Sequence, residues 1–187
     1  MENQNKAIKP QRYLILDSNI FKYFGNLELS SQIIFLLQDA LAKGYGLAIS
    51  KFTLLELLDT ATVDNEIKAF SYIKGLRHFR ISETVLTTAG HLGCLYKDDG
   101  IEDQPEKGDK IIAGTAWANN AVIFTANGRD FPTPFFNVLS KSVLKYTKNK
   151  AEVHMVFYFV EPDYQMIQTK YQERVDEHKR KTVQPSV

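Results

Sequence analysis

Three acidic residues lie next to or within apolar segments, where solubility alone does not explain a carboxylate. Asp17 directly follows the apolar run 13–16 (YLIL), which predicts a short buried strand. Asp109 begins a helix of small apolar residues, and Glu56 interrupts a leucine-rich helix (TLLELL). Carboxylates that are packed together repel one another and need a cation. Because Mg²⁺ and Mn²⁺ prefer hard oxygen ligands, these residue types suit the chemistry of a divalent-metal site.

A polar turn with a fourth acid follows the apolar run 121–125 (AVIFT) and contains Asn127, Arg129 and Asp130. In open α/β sheets, ligands bind beyond the carboxyl ends of the strands, so this turn is expected at the same edge as Asp17. Each acid alone also has a simpler explanation, as a helix cap, a turn residue or part of a wet helix face. The metal-site hypothesis depends on their joint pattern.

The elements that must position these acids alternate along the chain. Apolar periodicity predicts strand 13–16, helix 30–43, strand 45–49, helix 51–60, a helix capped by Asp64, strand 79–81, a helix from Ser82 to about Tyr96, a helix from Asp109 to Ala118, and strand 121–125. This order predicts an α/β fold, a three-layer α/β/α sandwich with a mainly parallel sheet.

Two local expectations concern the second and fourth of these elements, helices 30–43 and 51–60. Ser30 or Ser31 is expected to cap the first long helix, since serine is a preferred N-cap residue. Leu54, Leu55 and Leu58 are expected to face the core from the helix that carries the glutamate.

The same patterns divide the chain into three parts. Residues 1–12 form a polar N-terminal arm, and residues 13–135 form the α/β domain. Residues 136–187 are expected to add a strand at 153–160 (VHMVFYFV) and a polar helix at 163–178. This C-terminal extension is expected to pack on the same domain, because a unit of that size has little core of its own.

The charge balance is close to neutral, with 23 basic and 22 acidic residues in 187. The total conceals a patchy distribution, since residues 141–150 contain four lysines and no acid. The single cysteine excludes an intramolecular disulfide and fits a reducing cytosol, so a cytoplasmic location is expected. The sequence contains no apolar run of about 18 residues, so no membrane span is expected. No hydrophobic leader is expected at the N-terminus.

Four sequence blocks resemble the PIN-domain nucleases, in particular their VapC-like toxin branch. The blocks are YLILDSNIF, AISKFTLLELL, GDKIIAGTAW and VIFTANGRDF, and the resemblance runs from about Tyr13 to Phe131. It implies a parallel sheet between helices and an acidic pocket that holds Mg²⁺ or Mn²⁺ and hydrolyses a phosphodiester.

By motif position, Asp17, Glu56 and Asp109 match the three core acids of that family. Many relatives carry a further Asp where this chain has Asn127, and others carry it three residues later, where this chain has Asp130. The resemblance therefore implies Asp17, Glu56, Asp109 and Asp130 as catalytic residues and metal ligands, with Asn127 as a neutral partner.

The remaining candidates support these acids or bind substrate. Ser18, Asn19 and Thr125 match family positions that orient acids or waters. Because phosphate contacts supply most of the affinity for nucleic acids, RNA is expected to bind basic side chains. The candidates are Arg129, Lys141, Lys145, Lys148 and Lys150, although the lysines could equally form an ordinary solvated face.

The leading hypothesis is a metal-dependent endoribonuclease, and the narrower one is the toxin of a toxin–antitoxin pair. The resemblance implies an RNA substrate, a small antitoxin protein as partner, and a homodimer. A PIN-like binding or scaffold module with a degenerate metal site is the alternative, motivated by Asn127. A different phosphate enzyme is a third class, but phosphatases of the Asp-x-Asp type need an acid where this chain has Asn19.

Overall fold

The computed structural model describes residues 11–59 and 70–183. Its strands are β1 (Arg12–Leu16), β2 (Tyr45–Ser50), β3 (Arg77–Phe79), β4 (Val122–Thr125), β5 (Phe136–Lys148) and β6 (Ala151–Pro162). Its helices are α1 (Ser18–Phe21), α2 (Leu27–Ala42), α3 (Lys51–Asp59), α4 (Glu83–Asp98), α5 (Lys107–Ala118) and α6 (Tyr164–Val183), with 3₁₀ turns at Lys22–Gly25 and Gly128–Asp130. Among these residues, no helix is both long and apolar enough to cross a bilayer.

The six strands form one sheet in the order β3-β2-β1-β4-β6-β5. Strand β1 lies parallel to β2 and β4, β2 lies parallel to β3, and the last two strands are antiparallel. Helices cover both faces, so the predicted three-layer α/β/α sandwich with a mainly parallel sheet is confirmed.

Successive residues of the central strands face two different cores, as strand geometry requires. Ile15 and Ile123 pack with residues of α4, α5 and α6, whereas Leu14 and Phe124 pack with residues of α1 and α2. All four side chains are fully buried. This double burial explains why β1 and β4 are continuous apolar runs, and it fixes the ends from which the acids project.

The cap predicted for the first long helix was wrong. Asn26 caps α2 by accepting a hydrogen bond from the Leu29 N–H (3.1 Å), so the helix begins before Ser30. The Ser30 hydroxyl instead donates to the Leu27 carbonyl within the helix (3.1 Å). Asparagine is a strong N-cap residue, whereas a serine inside a helix commonly bonds back to the preceding turn.

The inward-facing leucines were only partly predicted. Leu54 packs against the core, but Leu55 is 57% exposed. Leu57, three residues after Leu54 and not among the predicted residues, packs against that core, while Leu58 is partly buried.

Other boundaries differ only slightly from the predictions. Ser82 caps α4 as expected. Strand β3 ends at Phe79, where the predicted strand 79–81 begins. The predicted helix start at Asp64 lies outside the described residues, and positions 70–73 are helical. Residues 1–10 of the predicted arm also lie outside them, and Arg12 already belongs to β1.

The C-terminal extension contains two strands where the sequence predicted one. Strands β5 and β6 form a long hairpin, and β6 pairs antiparallel with β4. The missed strand β5 is the outer edge of the sheet, and most of its side chains are exposed. Edge strands commonly carry lysine, which discourages further pairing, so β5 lacks the apolar density that revealed β6.

The hairpin also extends past the carboxyl ends of the parallel strands. Thr125, the last residue of β4, pairs with Tyr158, and Tyr158 pairs with Lys141. Because β6 runs against β4, residues 151–157 and their partners in β5 lie beyond the end of β4. The hairpin therefore projects beyond the sheet edge at which Asp17 lies.

A candidate acidic active site at the carboxyl edge of the sheet

Asp17 is the central residue of this edge. Its N–H donates to the Phe124 carbonyl (3.0 Å), which continues the pairing of β1 with β4 and carries the side chain past the strand end. The carboxylate is 1% exposed, and its Oδ2 accepts hydrogen bonds from Asn19 Nδ2 (2.6 Å) and Thr125 Oγ1 (2.7 Å). Burial raises the pKa of Asp17, and the hydrogen bonds from Thr125 and Ser18 partly offset this rise.

The turn after β4 is tied to the same network. Asn19 Oδ1 accepts from the Ala126 N–H (3.0 Å), and the Asn127 N–H donates to Thr125 Oγ1 (2.9 Å). Asn127 Nδ2 then donates to Asp130 Oδ1 (2.9 Å). Asn127 thus holds the carboxylate of Asp130 in place.

Asp109 enters the site from the first turn of α5. Its Oδ2 accepts a hydrogen bond from the N–H of Glu106, the N-cap residue of that helix (3.0 Å). Burial, together with the neighbouring charges of Asp130 and Asp17, raises the pKa of Asp109 to about 7. A carboxyl group that titrates near neutral pH marks a crowded, partly dehydrated acidic cluster.

Glu56 approaches from α3. Burial raises its pKa, a hydrogen bond with Ser18 lowers it, and the charge of Asp17 raises it again. Its Oε2 is buried and has no hydrogen-bond partner in the described part of the chain. A Cβ atom at Gly108 would lie 2.4 Å from the Phe52 ring and 3.1 Å from Glu56 Oε1, so a glycine there allows α5 to approach α3.

The fourth acid, Asp130, completes the electrostatic cluster. Burial raises its pKa, the charge of Asp17 adds to the rise, and Arg129 and Asn127 lower it. The charge of Asp17 thus raises the pKa of Glu56, Asp109 and Asp130, so the structure brings all four predicted acids into one neighbourhood.

The four acids do not form a complete set of ligands around one ion in the described structure. Within residues 11–59 and 70–183, no three acidic, histidine or cysteine side chains are grouped tightly enough to hold one ion. Mg²⁺ keeps several of its waters and needs only one or two direct carboxylates. Two features fit such an ion: the unpartnered buried oxygen of Glu56, and four acids whose pKa values are all raised.

Two charged residues near this site, Lys22 and Glu106, were not predicted from the sequence. Lys22 lowers the pKa of Asp17 and Glu56, and Glu106 raises that of Glu56 and Asp130. Glu106 precedes Asp109 by three residues, a spacing typical of helix N-termini that could have revealed it. For Lys22 the only signal was its place on the turns that follow Asp17.

Of the five basic residues proposed to bind RNA, one lies in the turn after β4 and four lie on the β5–β6 hairpin. Arg129 is exposed in the turn beside Asp130, and Lys141 lies with its Nζ 5.5 Å from the centre of the Tyr158 ring. Lys145 forms an ion pair with Glu152 (3.0 Å). The other two lysines, Lys148 and Lys150, lie at the end of β5 and in the hairpin turn.

Comparison with known proteins reveals similarity at the level of structure. No family model matches the chain, and no curated protein sequence matches it significantly. The VapBC2 structure from Rickettsia felis, bound to a promoter DNA fragment, contains a chain similar to this one at 27% identity and a TM-score of 0.54, covering 64% of this chain and 90% of that one.

Two further structures have the same fold at lower identity. One is VapBC-1 from nontypeable Haemophilus influenzae (23% identity, TM-score 0.53, 64% of this chain and 90% of that one). The other is a toxin–antitoxin complex from Klebsiella pneumoniae (20% identity, TM-score 0.50, 65% of this chain and 92% of that one). The chain therefore has a VapC-like fold of the PIN type, and about a third of its length lies outside the similarity.

Proposed function

We propose that this protein is a metal-dependent endoribonuclease that hydrolyses RNA phosphodiester bonds at the carboxyl edge of its sheet. One observation carries the proposal: Asp17, Glu56, Asp109 and Asp130 form one cluster in which each pKa is raised. Such a cluster costs stability in the metal-free protein, and it is expected at a functional site rather than in a structural one.

Mg²⁺ or Mn²⁺ is the cofactor that this cluster suits, with Asp17, Glu56, Asp109 and Asp130 as the residues that would hold it, directly or through water. When bound, such an ion polarises the scissile phosphate and lowers the pKa of an attacking water. The buried Oε2 of Glu56 supports this assignment, since an unpaired carboxylate oxygen is costly to bury without a cation or donor.

The surrounding residues fix the acids before substrate arrives. Thr125 and Asn19 hold Asp17, Asn127 holds Asp130, and the Glu106 N–H holds Asp109. Arg129 and the lysines Lys141, Lys145, Lys148 and Lys150 are proposed to bind RNA phosphates next to these acids. Lys22, whose charge acts on both Asp17 and Glu56, is a further candidate for a phosphate contact.

Cleavage of RNA by purified protein tests the proposal. Wild-type protein with Mg²⁺ or Mn²⁺ is expected to cut RNA, while Asp17→Asn and Asp109→Asn are expected to lose nearly all activity. Asp39→Asn is a matched control, because Asp39 is exposed on α2 and pairs only with Lys43 among the contacts described. Equal cleavage by wild type and both site variants would contradict the proposal.

We also propose that the protein acts in the cytoplasm as the toxin of a toxin–antitoxin pair, as a homodimer with a small antitoxin protein as its partner. The support is its VapC-like fold and its likeness to the VapBC2 structure. Expression of the wild type alone is expected to stop growth, and Asp17→Asn is expected to relieve the arrest. Normal growth with the active wild-type enzyme would remove the toxin role and leave the nuclease proposal intact.

The alternative is a PIN-like binding or scaffold module with a degenerate site. Asn127 favours it, because many related sequences carry an acid at that position. Calorimetric titration separates the two proposals: saturable Mn²⁺ binding that is lost in Asp109→Asn supports the enzyme. No heat of binding at millimolar Mn²⁺ would favour the module.

A further inference from the structure

Tyr158 lies on β6, and only β4 separates it from β1, the strand that Asp17 follows. It pairs with Thr125 across β6 and β4, and Thr125 Oγ1 donates to Asp17 Oδ2 (2.7 Å). Since neighbouring strands are about 4.8 Å apart, Tyr158 lies roughly 10 Å from the end of β1. That separation is short enough for a nucleotide next to the scissile phosphate to reach the ring.

The turn that carries Arg129 and Asp130 rests against the Tyr158 ring. A Cβ atom at Gly128 would lie 3.0 to 3.1 Å from three atoms of that ring, so only a glycine permits this approach without a shift. Arg129 is exposed in this turn, and Tyr158 itself is half-buried.

Lys141 is a second basic residue beside the ring. It pairs with Tyr158 across the hairpin, is exposed, and has its Nζ 5.5 Å from the ring centre. The pleat directs neighbouring Phe157 into the core beneath α2, so Tyr158 and Lys141 face the opposite way, towards the Gly128 turn. The result is a strip of cation, aromatic ring and cation: Arg129, Tyr158, Lys141.

We infer that this strip binds a single-stranded segment of the RNA substrate beside the cleavage site, with a base on the Tyr158 ring and the flanking phosphates on Arg129 and Lys141. The inference rests on the proposed nuclease function and specifies the class of its substrate. Stacking on an aromatic side chain needs an unpaired base, because a base inside a duplex already has both faces covered. The exposed cation–π contact of Lys141 is weaker than base stacking, so its ammonium can move to a phosphate.

Steady-state cleavage of a short single-stranded oligoribonucleotide tests the inference with four variants. Tyr158→Leu and Lys141→Gln are each expected to raise KM about five- to tenfold with kcat within about twofold of wild type. Tyr158→Phe keeps the ring and is expected to resemble wild type. Lys43→Gln, at the amino edge of the sheet, is the matched control and is expected to change nothing.

Several outcomes would overturn the inference. They are an unchanged KM in both Tyr158→Leu and Lys141→Gln, a fall in kcat alone in Tyr158→Leu, which indicates a purely structural ring, and equal cleavage of the same sequence within a duplex.

Failure of the proposed function gives a different result, namely no RNA cleavage by wild type with either metal. Fluorescence anisotropy then decides the inference alone. Binding of the single strand that is stronger than binding of the duplex, and that is weakened in Tyr158→Leu but not in Tyr158→Phe, supports it; equal binding by all variants overturns it.

Discussion

The parallel half of the sheet, formed by strands β1 to β4, and the β5–β6 hairpin present opposite charges at the same edge. The parallel half brings Asp17 and Asp130 from the ends of β1 and β4, whereas the hairpin adds lysines along β5. A metal-dependent nuclease needs both signs of charge, acids to hold the ion and cations to hold phosphates. The near-zero net charge of the chain therefore reflects segregation between two regions rather than a lack of charged function.

The two regions nevertheless share one core, and a mutation in the hairpin should reveal this. Phe157 is fully buried and stacks on Phe124 of the parallel half (ring centres 5.6 Å apart). Phe157→Ala is expected to lower the free energy of unfolding by about 3–5 kcal/mol. Chemical denaturation of both proteins measures this difference. A loss below about 1 kcal/mol would indicate that the hairpin is a separable appendage.

Activity should depend on the two regions in different ways. Asp109→Asn is expected to lower kcat by about 10²–10³-fold, because it removes an acid from the charged site itself. Lys145→Gln on the hairpin should change KM alone, and by less than Lys141→Gln, since Glu152 already neutralises Lys145. Single-turnover and steady-state rates on one RNA give both numbers. A comparable fall in kcat for Lys145→Gln would contradict the division of roles.

Stability of the metal-free protein should fall as the pH rises. The pKa of Asp109 is raised from 3.8 to about 7, so the folded state holds its proton longer than the unfolded state does. The contribution of protonated Asp109 to the free energy of unfolding is fully present below about pH 4. It is lost as the pH rises through about 7 and does not change further above that pH.

At pH 8, Asp109→Asn is therefore expected to be more stable than wild type by about 1 kcal/mol, allowing for solvent screening of a half-buried group. Thermal unfolding in EDTA at pH 5 and pH 8 measures the effect. A wild type that is more stable at pH 8 than at pH 5, with no gain in the variant, would contradict the crowded acidic cluster.

The smallest expected effect concerns the contact between α2 and the hairpin. The Gln32 side-chain amide donates to the Lys145 carbonyl (2.7 Å) and accepts from the Lys145 N–H (3.3 Å), which covers the outer edge of β5. Gln32→Ala is expected to cost about 0.5–1.5 kcal/mol. Amide exchange should accelerate at Lys145 and not at Ile123 in β4, and equal protection in the variant would exclude this role.

The sequence was sufficient for the parallel half because its signals are local. Asp17 directly follows a buried strand, and Asp109 lies in the first turn of a helix, so their shared edge follows from the rule that ligands bind at carboxyl ends. Their mutual distance, and the support from Glu106 and Lys22, could not be read from the sequence, because these depend on how helices approach one another. Gly108 illustrates this, since its importance appears only when the Phe52 ring is in place.

The hairpin was harder to predict for physical reasons. Strand β5 mixes lysines with isolated apolar residues, and its turn at Asn149 and Lys150 adopts positive φ angles without a glycine. An exposed edge strand has little burial to impose a pattern on its sequence. Tyr158 likewise looked like one more apolar residue of β6, and its place beside Gly128 and Lys141 emerged only from strand register.

The central claim is that the four acids form one divalent-metal site. A crystal soaked with Mn²⁺ tests this most directly, through anomalous scattering from the ion. We expect one peak at the carboxyl edge, among the carboxylates of Asp17, Glu56, Asp109 and Asp130, and no such peak in Asp109→Asn. A peak elsewhere, or none at saturating Mn²⁺, would contradict the account.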